Sequence, residues 1–135
     1  MRKLSIILAL MGFLLSACFP TTSANITGVW ELVSYGDPAN PTLAVHGVET
    51  SIEFKADGTL TGNVGCNGFG GDYDMQGEAI EFGPIVSTEM FCEMIADQES
   101  GVLTVFFESS SYALEGNTLT ITTADGSSAV VLKGK

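Results

Sequence analysis

The sequence predicts an α+β fold, a curled, barrel-like antiparallel meander of about eight strands with one packed helix. Three observations predict it. Short segments of loosely alternating apolar and polar residues recur from Val29 to Leu132, the period of half-buried strands. They are joined by turns rich in Gly, Asp and Asn, and Ala56-Asp57-Gly58 contains the Asp-Gly pair that most strongly signals a hairpin. One stretch alone, Glu93 to Ser109, departs from a period of two and follows helical spacing.

Taken in order, Val29 to Tyr35 forms the first strand. Gly36 to Pro41 is dense in turn formers, and a loop continues to about Val48. Thr50 to Lys55 and Thr59 to Asn63 flank the Asp57-Gly58 turn. Asp72 to Met75 and Ala79 to Phe82 flank Gln76-Gly77-Glu78. Ser111 to Glu115 and Thr118 to Thr122 flank Gly116-Asn117, and Ser128 to Leu132 follows Ala124-Asp125-Gly126. These are consecutive hairpins, not a repeat of fixed period. The helix is expected over residues 94–108, with Ile95, Gln98, Val102, Phe106 and Ser109 on one stripe. Leu103 and Phe107 widen that stripe, while Asp97, Glu99 and Glu108 lie off it. Gly101, Val102, Thr104 and Val105 weaken it by a few tenths to about 1 kcal/mol each relative to Ala. Burial of Leu103, Phe106 and Phe107 against the sheet is therefore required to hold it.

Ahead of the domain stands a different kind of segment. Arg2 and Lys3 precede an apolar run, Leu4 to Leu15, and Leu15-Ser16-Ala17-Cys18 follows. The run is shorter than the roughly 20 residues that span a bilayer. It resembles a bacterial lipoprotein signal. That resemblance implies a lipid of the diacylglyceryl and palmitate type on Cys18 and removal of residues 1–17. An ordinary secretory signal or an uncleaved anchor are the alternatives. Residues 18–25 read as a small, polar tether, and 26–135 as one domain. Phe19 after Cys18 is not the Asp that holds some lipoproteins in an inner membrane. The expected address is the cell envelope, with the domain facing the periplasm or the exterior.

Removing residues 1–17 leaves 118 of 135 residues, enough for one domain with a real core. Arg2 and Lys3 leave with the signal, so Lys55, Lys133 and Lys135 face 16 acids, a balance of −13. Such a surface repels phosphate backbones, which argues against nucleic acid as a partner and favours a cationic protein partner or plain solubility. With Cys18 given to lipid, Cys66 and Cys92 form an even pair in an oxidising compartment, where a disulfide is the expected state. Two free or metal-binding thiols are the alternative, although no His or further Cys stands near enough in sequence to complete a zinc set.

Chemistry-bearing motifs are sparse. The run Gly62 to Gly71 lacks the Gly-Lys-Ser/Thr ending of a phosphate loop. It reads instead as a sharp turn between strands, with Asn67 able to bond its own backbone. His46 is the single histidine and has no adjacent carboxylate to orient it as a base. Asp72 and Asp74, with Asn63 and Asn67 nearby, offer oxygen to calcium, against the simpler reading of solvated acids on an outer face. Glu89 and Glu93 flank Cys92 without any accompanying substrate-binding feature. No catalytic residue, metal or cofactor is assigned.

Gly28-Val29-Trp30, Phe54 to Leu60, Gly62 to Gly71, Tyr73, Ile80 to Pro84, Ser87 to Cys92 and Tyr112 to Thr122 stand in an order that resembles the META domain, or HslJ, family over residues 26–135. Gly65-Cys66-Asn67 and the Thr88-x-Met90-x-Cys92 segment are its most specific pieces. The resemblance implies the barrel-like fold and gives Gly28, Trp30, Gly65, Asn67 and Thr88 structural roles. It also implies a small, secreted or lipid-anchored bacterial protein linked to envelope stress and antibiotic tolerance, with no defined catalysis. The stretch after Cys92 departs from the Ala/Leu-rich helix common in the family. The functional expectation is a non-catalytic, lipid-anchored binding module. An inhibitor of a cationic lysozyme or protease, or a carrier of a small apolar ligand, is the alternative.

Overall fold

Alternation of side chains across the strands builds the molecule from β1 (Gly28–Gly36), β2 (Thr42–Leu43), β3 (Ser51–Phe54), β4 (Thr59–Asn63), β5 (Gly68–Gln76), β6 (Ala79–Phe82), β7 (Val86–Ser87), α1 (Ala96–Phe106), β8 (Ser110–Glu115), β9 (Thr118–Thr123) and β10 (Ala129–Gly134). The computed structural model describes residues 22–108 and 110–135. The signal segment, Cys18 and the start of the tether lie outside the described residues.

Eight strands run as one antiparallel circuit, β1-β3-β4-β5-β6-β8-β9-β10, and β10 pairs back onto β1 from Trp30↔Gly134 to Gly36↔Ala129. The sheet is therefore a closed barrel, and closure leaves no long edge exposed to other chains. The two-residue strands β2 and β7 sit off this circuit, on β1 and β5. A bulge falls between Leu32 and Ser34 in β1. There the Leu32 N–H donates to Thr50 Oγ1 at 2.9 Å, so a buried hydroxyl satisfies it.

Odd and even positions separate in β1, β3 and β9, whereas β10 opens with two buried residues, Ala129 and Val130. Trp30, Leu32 and Ser34 of β1 point inward and are buried, and so do Ile52 and Phe54 of β3 and Leu119 and Ile121 of β9. The interior is apolar: Ile52, Phe54, Leu60, Ile80, Phe106, Leu119, Ile121 and Leu132 are all 0% exposed and belong to one core. The seam between β6 and β8 is short, with only Ala79↔Ser111 and Ile80↔Ser110 paired. Above it α1 supplies Phe106, whose ring meets Phe82 at 5.0 Å and Phe69 at 5.8 Å.

Antiparallel order gives the barrel two distinct ends. The N-terminal end collects the start of β1, the turns 55–58, 77–78 and 116–117, and the C-terminus. The helix end collects residues 37–50, 64–67, 83–108 and 124–128.

The predicted α+β meander of about eight strands with one helix is present. Several details differ from the sequence reading, which leaves the short strands β2 and β7 unplaced. Gly68, Gly70 and Gly71 lie inside a nine-residue β5 and not in a turn, and of the glycines in the run only Gly65 has positive φ. Crowding accounts for glycine at two of these and at one position of β4. A Cβ on Gly70 would lie 3.2 Å from Leu60 O, one on Gly71 would meet Ile85 and Pro84, and one on Gly62 of β4 would fall 2.4 Å from the Phe69 ring, whereas nothing crowds Gly68. The helix is shorter than 94–108, and Phe107 is 60% exposed. Phe106 holds it as expected, with Leu103 partly buried against the core, and Val102 and Val105 take the place of Phe107. Gly101 is no flaw in it, because a Cβ there would lie 2.4 Å from the Tyr35 ring that packs across the helix.

Candidate functional site

Three segments that are distant in sequence meet at the helix end: the loop after β4, the segment after β7, and the first half of α1. Asn67 is where they join. It is 7% exposed, and its side chain uses its full hydrogen-bonding capacity. Nδ2 donates to Met90 O at 2.9 Å and to Glu99 Oε2 at 2.9 Å. Oδ1 accepts from Thr88 Oγ1 at 2.8 Å and from Met90 N at 2.8 Å. The Asn67 backbone N–H donates to Glu99 Oε1. Cys66 and Cys92 are joined beside this hub, with their Cα atoms 6.1 Å apart.

A second polar contact seals the same end. Gln98 is 0% exposed, donates from Nε2 to Val64 O at 2.6 Å, and accepts at Oε1 from Val45 N at 2.7 Å. It thus satisfies backbone groups of two loops that make no ladder bonds. No buried side-chain nitrogen or oxygen among the described residues lacks a partner. Gly65 takes φ +125, and Val48 and Ile95 close over the space a side chain would need.

The other motif glycine and the tryptophan sit at the N-terminal end. Gly28 opens β1 at φ +142. Trp30 is 6% exposed, and its indole N–H donates to Ile26 O at 2.9 Å. Tyr112 Oη donates to Gly77 O at 2.7 Å and accepts from Ala24 N at 2.9 Å, pinning the incoming chain to the β5–β6 turn. A shallow groove of about 340 Å³ lies there, lined by Thr22, Ala24, Glu78 and Tyr112 among others.

The remaining candidates are not brought together. His46 is exposed in the loop after β2. Asp72 and Asp74 are exposed on the outer face of β5, whereas Asn67 is turned inward to Thr88, Met90 and Glu99, so the oxygens considered for calcium do not converge. Among the described residues no group of three His, Cys, Asp or Glu side chains is placed to hold a metal. Glu89 and Glu93 both face solvent.

Charge is divided unevenly between the ends. Lys55, Lys133 and Lys135, the described lysines, all lie at the N-terminal end, where Lys133 is in register with Glu31. Two turn carboxylates are held below their ordinary range by hydrogen bonds. Thr59 donates its hydroxyl and N–H to Asp57. Ser127 N–H and Oγ and Thr123 Oγ1 donate to Asp125 and bring it down to about 2.

Sequence reasoning singled out Asn67 and Thr88 but missed Glu99, which reads as one more solvated acid. Gln98 carried a signal, since a polar residue on an apolar helical stripe needs buried partners.

The fold and this hub define a small closed β-barrel with one helix fastened over an end. The META domain family model matches residues 24–135, and the chain belongs to the META domain family. Solved structures share the fold. A protein from Burkholderia xenovorans superposes with a TM-score of 0.63 at 16% identity over 80% of this chain and 81% of its own. A DUF4847 family protein from Bacteroides vulgatus gives 0.58 at 17% identity over 81% and 93%. No curated protein matches the chain.

Proposed function

We propose that this is a lipid-anchored, non-catalytic META-type protein of the cell envelope, a binding module acting in envelope stress or drug tolerance. One observation carries the non-catalytic reading. Of the residues most specific to the family, Asn67 spends its whole side-chain bonding capacity on Thr88, Glu99 and the Met90 backbone, Thr88 donates its hydroxyl to Asn67, and Cys66 and Cys92 are bonded to each other. The motif thus serves to hold loops in place. Membrane attachment rests on the Leu15-Ser16-Ala17-Cys18 pattern, because no described helix is long and apolar enough to cross a bilayer.

The test has two arms. Labelled palmitate fed to cells should enter the wild-type chain and not Cys18→Ala, and crosslinking in native envelopes should recover a protein partner from the wild type alone. Unlabelled wild type, or a Cys18→Ala chain still anchored, overturns the anchoring. Saturable turnover of any substrate by the purified protein overturns the binding-module reading. Inhibition of a cationic lysozyme or protease is the second reading, favoured by the acidic helix end. Low-salt inhibition assays decide it.

A further inference from the structure

The helix end exposes apolar surface that its own architecture holds still. Met90 is 60% exposed, Phe91 83% and Met94 81%, all within five residues of one turn. Single exposed apolar residues are ordinary, but a contiguous group marks an interaction surface. Met and aromatic residues are also the types enriched where partners bind. This group is presented on a fixed frame: both the N–H and the C=O of Met90 are bound by Asn67, Cys92 is bonded to Cys66, and Cys92 O accepts from Ile95 N and Ala96 N at 2.9 Å. A frame set before binding lowers the ordering cost of association.

Its rim is of one sign. Glu89, Glu93 and Asp97 are exposed around the apolar residues, while the described lysines lie at the opposite end of the barrel. Anionic headgroups would be repelled, and the chain arrives at the other end, where Ala24 is tied to Tyr112. A second copy would set acids against acids. Charge complementarity therefore selects the occupant. Resting on the binding-module reading above, we infer that this surface docks a cationic amphipathic segment of a protein partner, its apolar face covering Met90, Phe91 and Met94 and its Lys or Arg side chains meeting Glu89, Glu93 and Asp97.

The probe is a designed Lys/Leu amphipathic helical peptide, passed over the full chain captured through its C-terminus, which lies at the far end. Binding should weaken at least about 10-fold in the Phe91→Ser, Met94→Ser double variant. It should also fall as salt rises and stay unchanged in Leu43→Ser, another exposed apolar site. Absence of binding, equal binding by the double variant, or equal binding of a peptide with Glu in place of Lys overturns the proposal. Thermal melting of the double variant should match wild type. If it does not, Glu89→Lys with Glu93→Lys must weaken the peptide equally, and failure there is equally fatal. Palmitate labelling at Cys18 is independent of all these outcomes, so loss of this surface leaves the envelope reading standing.

Discussion

The two ends of the barrel are built by opposite means. At the N-terminal end the connections are tight turns set by local sequence, as at Ala56-Asp57-Gly58 and Gly116-Asn117, and they are tied down by single long-range bonds such as Tyr112 Oη to Gly77 O. At the helix end two of the connections, 37–50 and 83–108, are long, and a disulfide, a saturated Asn67, a buried Gln98 and the Phe106 ring secure them and bind them to the 64–67 turn. The difference teaches where the family motif belongs. Long loops carry backbone groups that no ladder satisfies, so side chains of fixed type must do so. Tight hairpins need only residues that permit the turn.

The largest expected effect tests the helix end at its core. Phe106→Ala removes a fully buried ring from between Phe69 and Phe82 and should cost about 3–5 kcal/mol, read from denaturant unfolding. Next comes the crosslink. Cys66→Ser with Cys92→Ser, closing no 26-residue loop, should lower stability by about 3–4 kcal/mol in the chain-entropy picture. If the loss is much less, the Asn67 hub alone suffices to hold the loops. Asn67→Ala removes the partner of Glu99 Oε2, Thr88 Oγ1 and both backbone groups of Met90 while the backbone N–H of residue 67 still reaches Glu99 Oε1, and about 2–3 kcal/mol is expected. Hydrogen exchange at residues 88–95 should rise in the same variant while the 55–58 turn is unaffected. A uniform change over both ends would erase the distinction drawn between them.

At the N-terminal end the expected losses are smaller. Tyr112→Phe gives up the bonds to Gly77 and Ala24 and should cost about 1 kcal/mol, with the change confined to that end. The mildest test returns to the helix end, at the turn between β9 and β10, and is one of pH. The folded state holds Asp125 at about 2, below its ordinary 3.8, so this group stabilises above 3.8 and the contribution is lost as pH falls toward about 2. Asp125→Asn should flatten the acid limb of a thermal-stability profile in that window, and an unchanged slope would show that Ser127 and Thr123 do not favour the charged form.

The comparison also explains what was legible beforehand. Strands whose partners are neighbours in sequence could be read from alternation and turn residues, and β3, β4, β6, β8 and β9 lie within a residue of where the sequence places them at either end. The long β5 was not readable, because Gly68, Gly70 and Gly71 resemble a turn until Leu60 is seen crowding Gly70, and Pro84 and Ile85 crowding Gly71. Asn67 and Thr88 stood out by resemblance. Glu99 did not, since its partner is 32 residues away and nothing local distinguishes it from a surface acid.

By itself the sequence determined the hairpin succession, the position of the single helix, the acid excess and the Cys18 pattern, all of which depend on residue type and near neighbours. Tertiary structure alone decided the closure of β10 onto β1, the burial of Gln98, the pairing of Asn67 with Glu99, and the gathering of lysines at one end with Met90, Phe91 and Met94 at the other. Each of these joins residues far apart along the chain. Only the register and curvature of the closed sheet set which of them meet.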